Sequence, residues 1–335
     1  VTIEALTKMP SGCLATVIVV NFNGRRFLTD CLTALDRQAL PRHQFEVLFV
    51  DNASTDGSAA IVREQFPHVR VIEAGGNLGF TGGNNLGIRL ARGRHVVLLN
   101  NDTRVAPDWL AHLLAAAEGE RVGGVVSRLL FLDEPERVNS TGLIPYRDGR
   151  VGDRDSHRPA AEADPLTGEV FGGCGASLLL TRGLLDDVGG LDAALFMYYE
   201  DVDIAWRGRL RGWRFVYARE SVCYHVCGGG SDAGSPFMLG QIERNRTRVN
   251  MRNGPIFEAI WAGVGLMLRA GRLVCRYLFQ RRRHGLNPSH LRAIAWAVGW
   301  VTATLPMVPL ARYRVRVADR RSPDRTVRKF VQSHP

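Results

Sequence analysis

Three short apolar runs that each stop on Asn or Asp constrain this fold more than any other feature. Val17-Ile-Val-Val20 stops at Asn21, Phe45-Glu-Val-Leu-Phe-Val50 at Asp51, and Val96-Val-Leu-Leu99 at Asn100-Asn-Asp102. Runs of this length and β-branched content read as strands buried on both faces. Between them, apolar residues recur at helical spacing: Phe27, Leu28, Leu32 and Leu35 within 25–39, then 58–66. A glycine-rich stretch from Gly75 to Gly87 opens a helix ending near Gly93, and Pro107 sits in the first turn of a helix over 107–118. Val69–Ile72 and Val122–Phe131 add strands. This alternation predicts βαβ units and an α/β fold with a mostly parallel sheet flanked by helices. Ligands bind such sheets at the carboxyl ends of the strands. The turns 21–24, 51–57 and 100–103 are therefore expected to meet at one edge.

Beyond residue 131 the pattern changes. Residues 133–169 are rich in charge, Gly and Pro and read as one long functional loop. Val170–Leu180 reads as a strand whose glycines permit close backbone approach. Short strands are expected at Trp213–Tyr217 and Ser221–His225. A basic helix over 237–252 is expected to pack on the body. The organisation predicted is a body over 1–253 and a basic, amphipathic helical region over 254–335. Charge supports that division. Residues 241–335 hold 19 Lys and Arg against 4 Asp and Glu, whereas the remainder holds 24 against 29. Such asymmetry points the C-terminal region at an anionic surface. Residues 293–311 carry no charge but contain Trp296, Trp300, Pro306 and Pro309, and Arg clusters flank them. That run reads as interfacial or re-entrant on a membrane, with a true span as a second alternative and a helical subdomain packed on the body as the plain one. Six cysteines without framework spacing, and no recognisable leader, read as reduced cytosolic thiols. Cys223-Tyr-His-Val-Cys227 resembles half a zinc site but has no second ligand pair.

The chemistry concentrates in two places. Phe196-Met-Tyr-Tyr-Glu-Asp-Val-Asp203 puts Glu200, Asp201 and Asp203 directly after aromatic residues. Apolar neighbours and like charges raise a carboxyl pKa, which makes a general base for neutral pH. An exposed acidic helix face, with Asp203 paired to Arg207, is the plain reading of the same residues. Asp102 is a hard oxygen ligand suited to Mg²⁺ or Mn²⁺, or else a turn residue, and His225 is a second, softer candidate ligand. Asp51 can accept a hydrogen bond from a base or ribose, or simply form an Asx turn. The glycines from Gly75 to Gly87 suit phosphates at a helix N-terminus, though without a Walker pattern.

Taken in order, five segments resemble glycosyltransferase family 2, particularly its bacterial rhamnosyltransferase-like members. They are 17–24, Asp51-Asn-Ala-Ser-Thr-Asp-Gly-Ser58, Asn77-Leu-Gly-Phe-Thr-Gly-Gly-Asn-Asn-Leu-Gly-Ile88, Leu98-Leu-Asn-Asn-Asp-Thr103 and Tyr199-Glu-Asp-Val-Asp-Ile204. The resemblance runs from about Val17 to Arg252. It implies an A-type nucleotide-sugar fold and an inverting, metal-dependent transfer using Mn²⁺ or Mg²⁺. Asp201 then stands as the base beside Glu200. Asn21, Asp51, Asn77, Gly79, Asn85 and Asn101 stand on the donor side, with Asp51 reading a pyrimidine base. Asp102 and His225 stand as metal ligands, and Asn100 replaces the first Asp of the usual Asp-x-Asp.

The expected donor is a UDP- or dTDP-sugar, rhamnose included, and the acceptor a glycan or polyprenyl-linked glycan in cell-envelope polysaccharide synthesis. The expected location is cytoplasmic, peripheral at the inner face of the plasma membrane, with no nucleic acid partner. Two other classes remain at this stage. One is a catalytically silent, membrane-associated nucleotide-sugar-binding protein. The other is a sugar-nucleotide pyrophosphorylase, for which Asn21-Phe-Asn-Gly-Arg-Arg26 is a poor phosphate loop.

Overall fold

The structure is a computed structural model that describes residues 12–163, 168–226, 234–280, 286–315, 327 and 329–332. The first half alternates as the apolar runs predict: β1 (Ala15–Asn21), α1 (Arg25–Asp36), β2 (Phe45–Asp51), α2 (Ser58–Gln65), β3 (Arg70–Glu73), α3 (Gly79–Leu90) and β4 (His95–Asn100). Then come β5 (Thr103–Val105), α4 (Trp109–Ala117), β6 (Val122–Phe131), β7 (Val138–Ser140), β8 (Leu143–Pro145), β9 (Val151–Asp153) and β10 (Gly168–Val170). The chain continues through β11 (Ser177–Thr181), α5 (Arg182–Val188), α6 (Glu200–Leu210), β12 (Arg214–His225), α7 (Pro236–Asn253), α8 (Ile256–Gln280), α9 (Pro288–Thr304) and α10 (Val308–Tyr313).

The main sheet runs β10-β12-β6-β11-β4-β1-β2-β3. β4, β1, β2 and β3 are mutually parallel, and their register sets Asn21 beside Asp51 and Val20 beside Asn100. The polar turns therefore share one edge, as expected. β11 enters antiparallel between β4 and β6, and β12 returns parallel to β6. One core, with Leu28, Leu32, Phe49 and Trp109, fills one face, and a second, with Ile18, Leu178, Ile204 and Phe215, fills the other. The central strands β1, β2, β4 and β11 bury both faces, which is why their sequences are apolar nearly throughout.

Three expectations change. Residues 133–169 are not one loop: they carry β7, the β8–β9 hairpin and the start of β10, and their backbone bonds reach β6 and the strand-leading turns. Residues 170–180 are not one strand, because 171–176 cross the sheet from β10 to β11. The two short strands 213–217 and 221–225 are one strand, interrupted by a register shift between Ala218 and Val222.

α7 carries Glu243, Arg244, Asn245 and Arg246 in buried positions. α8 and α9 pack on it through Met251, Leu266, Ile294 and Val301. The Trp300 ring lies 4.8 Å from the Arg244 guanidinium and 5.2 Å from that of Arg248. The helical region thus has its own small core on α7. Pro288–Tyr313 is also a 26-residue helical run containing an 18-residue stretch of mean hydropathy 1.5, long and apolar enough to cross a membrane by length and composition. Arg281–Arg283 lie outside the described residues.

Candidate functional site

The carboxyl ends of β1, β2 and β4 bring Asn21, Asp51 and Asn101 into one hydrogen-bonded group. Asn101 Nδ2 donates to Asn21 Oδ1 at 2.6 Å, and Asn21 Nδ2 donates to Ser54 Oγ at 3.0 Å and to Asp51 Oδ1 at 3.4 Å. A Cβ at Gly24 would press on the side-chain amides of both Asn21 and Asn101 and force them to shift. Asp51 Oδ2 also accepts from the Ser54 N–H at 3.1 Å, so the Asx turn exists alongside the cleft-facing position. Helix α2 is served instead by Asp56, which accepts from the Ser58 N–H at 3.0 Å.

Asp102 and His225 meet at the neighbouring strand ends. β5 pairs with β12 and brings Thr103 opposite His225. His225 Nε2 lies 3.4 Å from Asp102 Oδ1 and 3.4 Å from Asn100 Nδ2, while Nδ1 sits 3.0 Å from Asn139 Oδ1. Nδ1 must carry a proton to bond Asn139, which leaves Nε2 facing the carboxylate. Asp102 Oδ1 is buried and takes no hydrogen bond. A carboxylate oxygen and an imidazole nitrogen facing each other need a proton or a cation between them, so the donor set fits a divalent ion. Among the described residues no group of three or more His, Cys, Asp or Glu forms a metal cluster. Asp102 and His225 would therefore be the chain's share of the coordination, and Cys227 lies outside the described residues.

The acid cluster opens α6. Phe196, Tyr198 and Tyr199 all adopt left-handed backbone, with φ of 63°, 70° and 68°. Such conformations are costly for aromatic residues and persist only where neighbours hold them. Asn245 of α7 holds them here, its amide nitrogen lying 2.9, 2.8 and 2.7 Å from the carbonyl oxygens of Leu195, Met197 and Tyr198. Gly79, at φ +68°, lets α3 approach the Phe196 carbonyl, which accepts from the Thr81 N–H at 3.0 Å.

This geometry separates the three carboxylates. Asp201 accepts N–H bonds from Gly175 at 3.1 Å and Val202 at 2.7 Å. Burial nonetheless pushes its pKa up to about 6, against the pull of those two donors. Glu200 is buried, and its Oε2 has no hydrogen-bond partner. Burial, then the charges of Asp201 and Asp203, drive its pKa well above the usual carboxylate range. Asp203 goes the other way. Burial alone would raise its pKa, but Arg252 and Arg207 outweigh burial and hold it well below its ordinary value. It bonds Arg207 Nε at 2.8 Å, Asn253 Nδ2 at 2.7 Å and Arg252. The plain ion-pair reading is thus right for Asp203, whereas Glu200 and Asp201 form the raised pair.

Not every expected residue joins the cleft. Both ends of the Asn85 amide are spent on the Leu191 backbone, at 2.9 and 2.8 Å, which holds the loop before the acid cluster. Asn77 Oδ1 accepts from the Gly79 N–H at 3.0 Å, so Asn77 and Gly79 shape the start of α3. Sequence reasoning missed Asp153. It stands on β9, near enough for its charge to act on Asp201 and for that of His225 to act on it. Its only sequence signal is a Gly-Asp pair in a stretch that looked like loop.

A family model described as "Glycosyl transferase family 2" matches residues 16–188. The chain belongs to glycosyltransferase family 2. The N-acetylglucosaminyl-diphospho-decaprenol L-rhamnosyltransferase of Mycobacterium tuberculosis strain H37Rv is 28% identical over 222 residues, covering 60% of this chain and 70% of that protein. The low-salt glycan biosynthesis hexosyltransferase Agl10 of Haloferax volcanii is 23% identical over 210 residues, covering 58% and 61%. Against the protein y4gI of Sinorhizobium fredii the match covers 54% of this chain but only 21% of the relative. Among solved structures, the Pyrobaculum calidifontis mannosyltransferase PcManGT, in complex with GDP-Man and Mn²⁺, aligns at TM-score 0.54 and 18% identity over 90% of this chain and 92% of that one. S. aureus TarS 1–349 in complex with UDP aligns at TM-score 0.51 and 19% identity, covering 90% and 88%. At that identity the likeness is one of fold, and it is the A-type glycosyltransferase fold. As a family 2 member this protein is a glycosyltransferase enzyme.

Proposed function

We propose that this glycosyltransferase moves a sugar, rhamnose being the leading candidate, from a UDP- or dTDP-sugar to a glycan or polyprenyl-linked acceptor with inversion. The observation that carries this reading is Asp201, anchored by the Gly175 and Val202 N–H groups with its pKa raised, and tied through the charge of Asp153 to His225 of the Asp102–His225 pair. Asp201 accepts the proton of the acceptor hydroxyl. The hydroxyl oxygen bonds to the anomeric carbon on the face opposite the diphosphate, and the anomeric carbon–oxygen bond to the diphosphate breaks. One displacement of this kind inverts the anomeric centre, and it needs no second carboxylate acting as nucleophile. Asp102 and His225 would hold Mn²⁺ or Mg²⁺, whose chemistry when bound is neutralisation of the leaving diphosphate. Asn21, Asp51 and Asn101 line the donor side, with Asp51 toward the pyrimidine. Asn77, Gly79 and Asn85 act through the loops they hold.

The relatives named for rhamnosyl transfer to a diphospho-decaprenol and for glycan hexosyl transfer support the acceptor class and a role in envelope polysaccharide synthesis. The exposed apolar residues Ile256, Ile260 and Trp261 on α8 and the basic charge of residues 241–335 support attachment at the inner membrane face, with 1–253 as the transferase body. Binding of the full chain to anionic vesicles should fall steeply as salt rises toward 0.5 M. Equal binding to neutral and anionic vesicles would discard the electrostatic part of this reading.

A thermal-shift panel of nucleoside diphosphates, with and without Mn²⁺, tests the donor reading. UDP or dTDP with Mn²⁺ should raise Tm, because a ligand that binds only the folded state stabilises it. Asp102→Ala should remove the Mn²⁺-dependent part of the shift. A folded wild-type chain that responds to neither nucleotide would overturn the UDP or dTDP donor reading.

A further inference from the structure

A cavity of about 990 Å³ lies between the β8–β9 hairpin, α7 and α8. It is distinct from the Asp102 cluster, and Trp206 of α6, the helix that the acid pair opens, lines it. Val151, Arg246 and Arg269 line it, and all three bear on Tyr199, the residue before Glu200. Its chemistry is two-sided. Five guanidinium groups line it, those of Arg147, Arg150, Arg246, Arg269 and Arg272, against the carboxylates of Asp148 and Glu258. Asp148 is paired with Arg150, and Glu243 of α7 takes Arg246 and Arg269. Arg147 and Arg272 are exposed and make no side-chain ion pair among the described residues. Arg246 is buried, and its Nε has no partner.

The other side is apolar. Phe257, Trp261, Val264 and Leu268 recur at spacings of four and three, so they share one face of α8. Phe257, Trp261 and Leu268 line the cavity and are still 68, 51 and 55% exposed. An apolar stripe therefore leads out of a basic chamber. A small sugar nucleotide has no use for that stripe, and a plain hydrocarbon has no use for the guanidinium groups.

We propose that this cavity receives the lipid diphosphate of the acceptor. The diphosphate meets Arg147, Arg246, Arg269 and Arg272, and the first isoprene units lie along Phe257, Trp261 and Leu268. The sugar attached to that diphosphate then reaches past Tyr199 to Asp201. This rests on the polyprenyl-linked acceptor class proposed above.

The test uses the full chain, EDTA to keep metal from the Asp102 cluster, and farnesyl diphosphate as the probe in titration calorimetry. Farnesyl diphosphate should bind at least tenfold tighter than either farnesol or inorganic diphosphate. The double variant Arg147→Glu, Arg272→Glu should weaken it at least tenfold while leaving the UDP–Mn²⁺ thermal shift unchanged. The same affinity in the double variant overturns the proposal. So does displacement of the probe by UDP, which would put it in the donor site. Loss of anionic-vesicle binding with farnesyl diphosphate unaffected would assign these arginines to the bilayer surface and also overturn it. If the wild-type chain shows no nucleotide shift, the donor reading fails on that arm alone, and the farnesyl diphosphate arm still decides the cavity.

Discussion

Asp201→Asn is expected to lower kcat for transfer by about 10²–10⁴-fold, the usual worth of a positioned general base. Nucleotide binding should survive, because Asp201 is held by Gly175 and Val202 and not by the Asn21–Asp51–Asn101 group. Transfer at the wild-type rate would remove Asp201 from the mechanism. The pH profile gives an independent reading. A base works deprotonated, and burial puts the Asp201 pKa at about 6. The wild-type kcat/KM should therefore rise about tenfold per pH unit below 6 and level off above it. Burial and the charge of Asp201 both disfavour ionisation of the neighbouring Glu200.

A raised carboxyl also has a stability consequence. The folded chain binds the Asp201 proton more tightly than the unfolded chain does. The Asp201 contribution to stability is therefore fullest at acid pH and is lost as pH rises from about 4 through about 6. Each pKa unit corresponds to about 1.4 kcal/mol, so ionising Asp201 costs roughly 1–3 kcal/mol at neutral pH. Asp201→Asn should then melt no lower than wild type at pH 7.5, despite being inactive. A lower melting temperature would mean that the activity loss reflects damage to the fold.

Asp203→Ala should instead cost about 3–5 kcal/mol of folding stability, because it leaves the Arg207 and Arg252 guanidinium groups without their shared counter-charge. Asp203 is fully buried and also accepts from Asn253 at the end of α7. Its pKa is depressed, so the sign is opposite to that of Asp201. Its contribution is fully present above the unfolded value near 4 and is lost as pH falls further. Denaturant unfolding of both chains at pH 7 and pH 3 reads this directly. The gap should be large at pH 7 and narrower at pH 3. A variant with the wild-type midpoint at pH 7 would show that α7 does not depend on this carboxylate.

The two predictions concern residues two positions apart, and they mark where sequence reasoning ran out. The strands, the polar turns at their ends and the α/β class were legible, because a strand buried on both faces must be apolar along its length and must stop where a polar residue begins. The same logic placed Asn21, Asp51 and Asp102 at one edge, and the structure brings them there. Legibility failed between 133 and 169. Strands of three residues leave no period to detect, so Asp153 and Asn139 were invisible as neighbours of His225.

Sequence by itself determined that three carboxylates open a helix after a run of aromatic residues, and that a basic helical region follows. Tertiary structure alone decided what each carboxylate does. At about 100° per residue, Asp201 and Asp203 point about 200° apart on α6. One face meets the cleft and the Gly175 N–H, and the other meets Arg252 and Asn253 of α7. Which face meets which depends on the left-handed backbone at Phe196, Tyr198 and Tyr199, held by Asn245 from a helix some fifty residues later. No local propensity encodes that conformation, because it is unfavourable for each of those residues until α7 has docked.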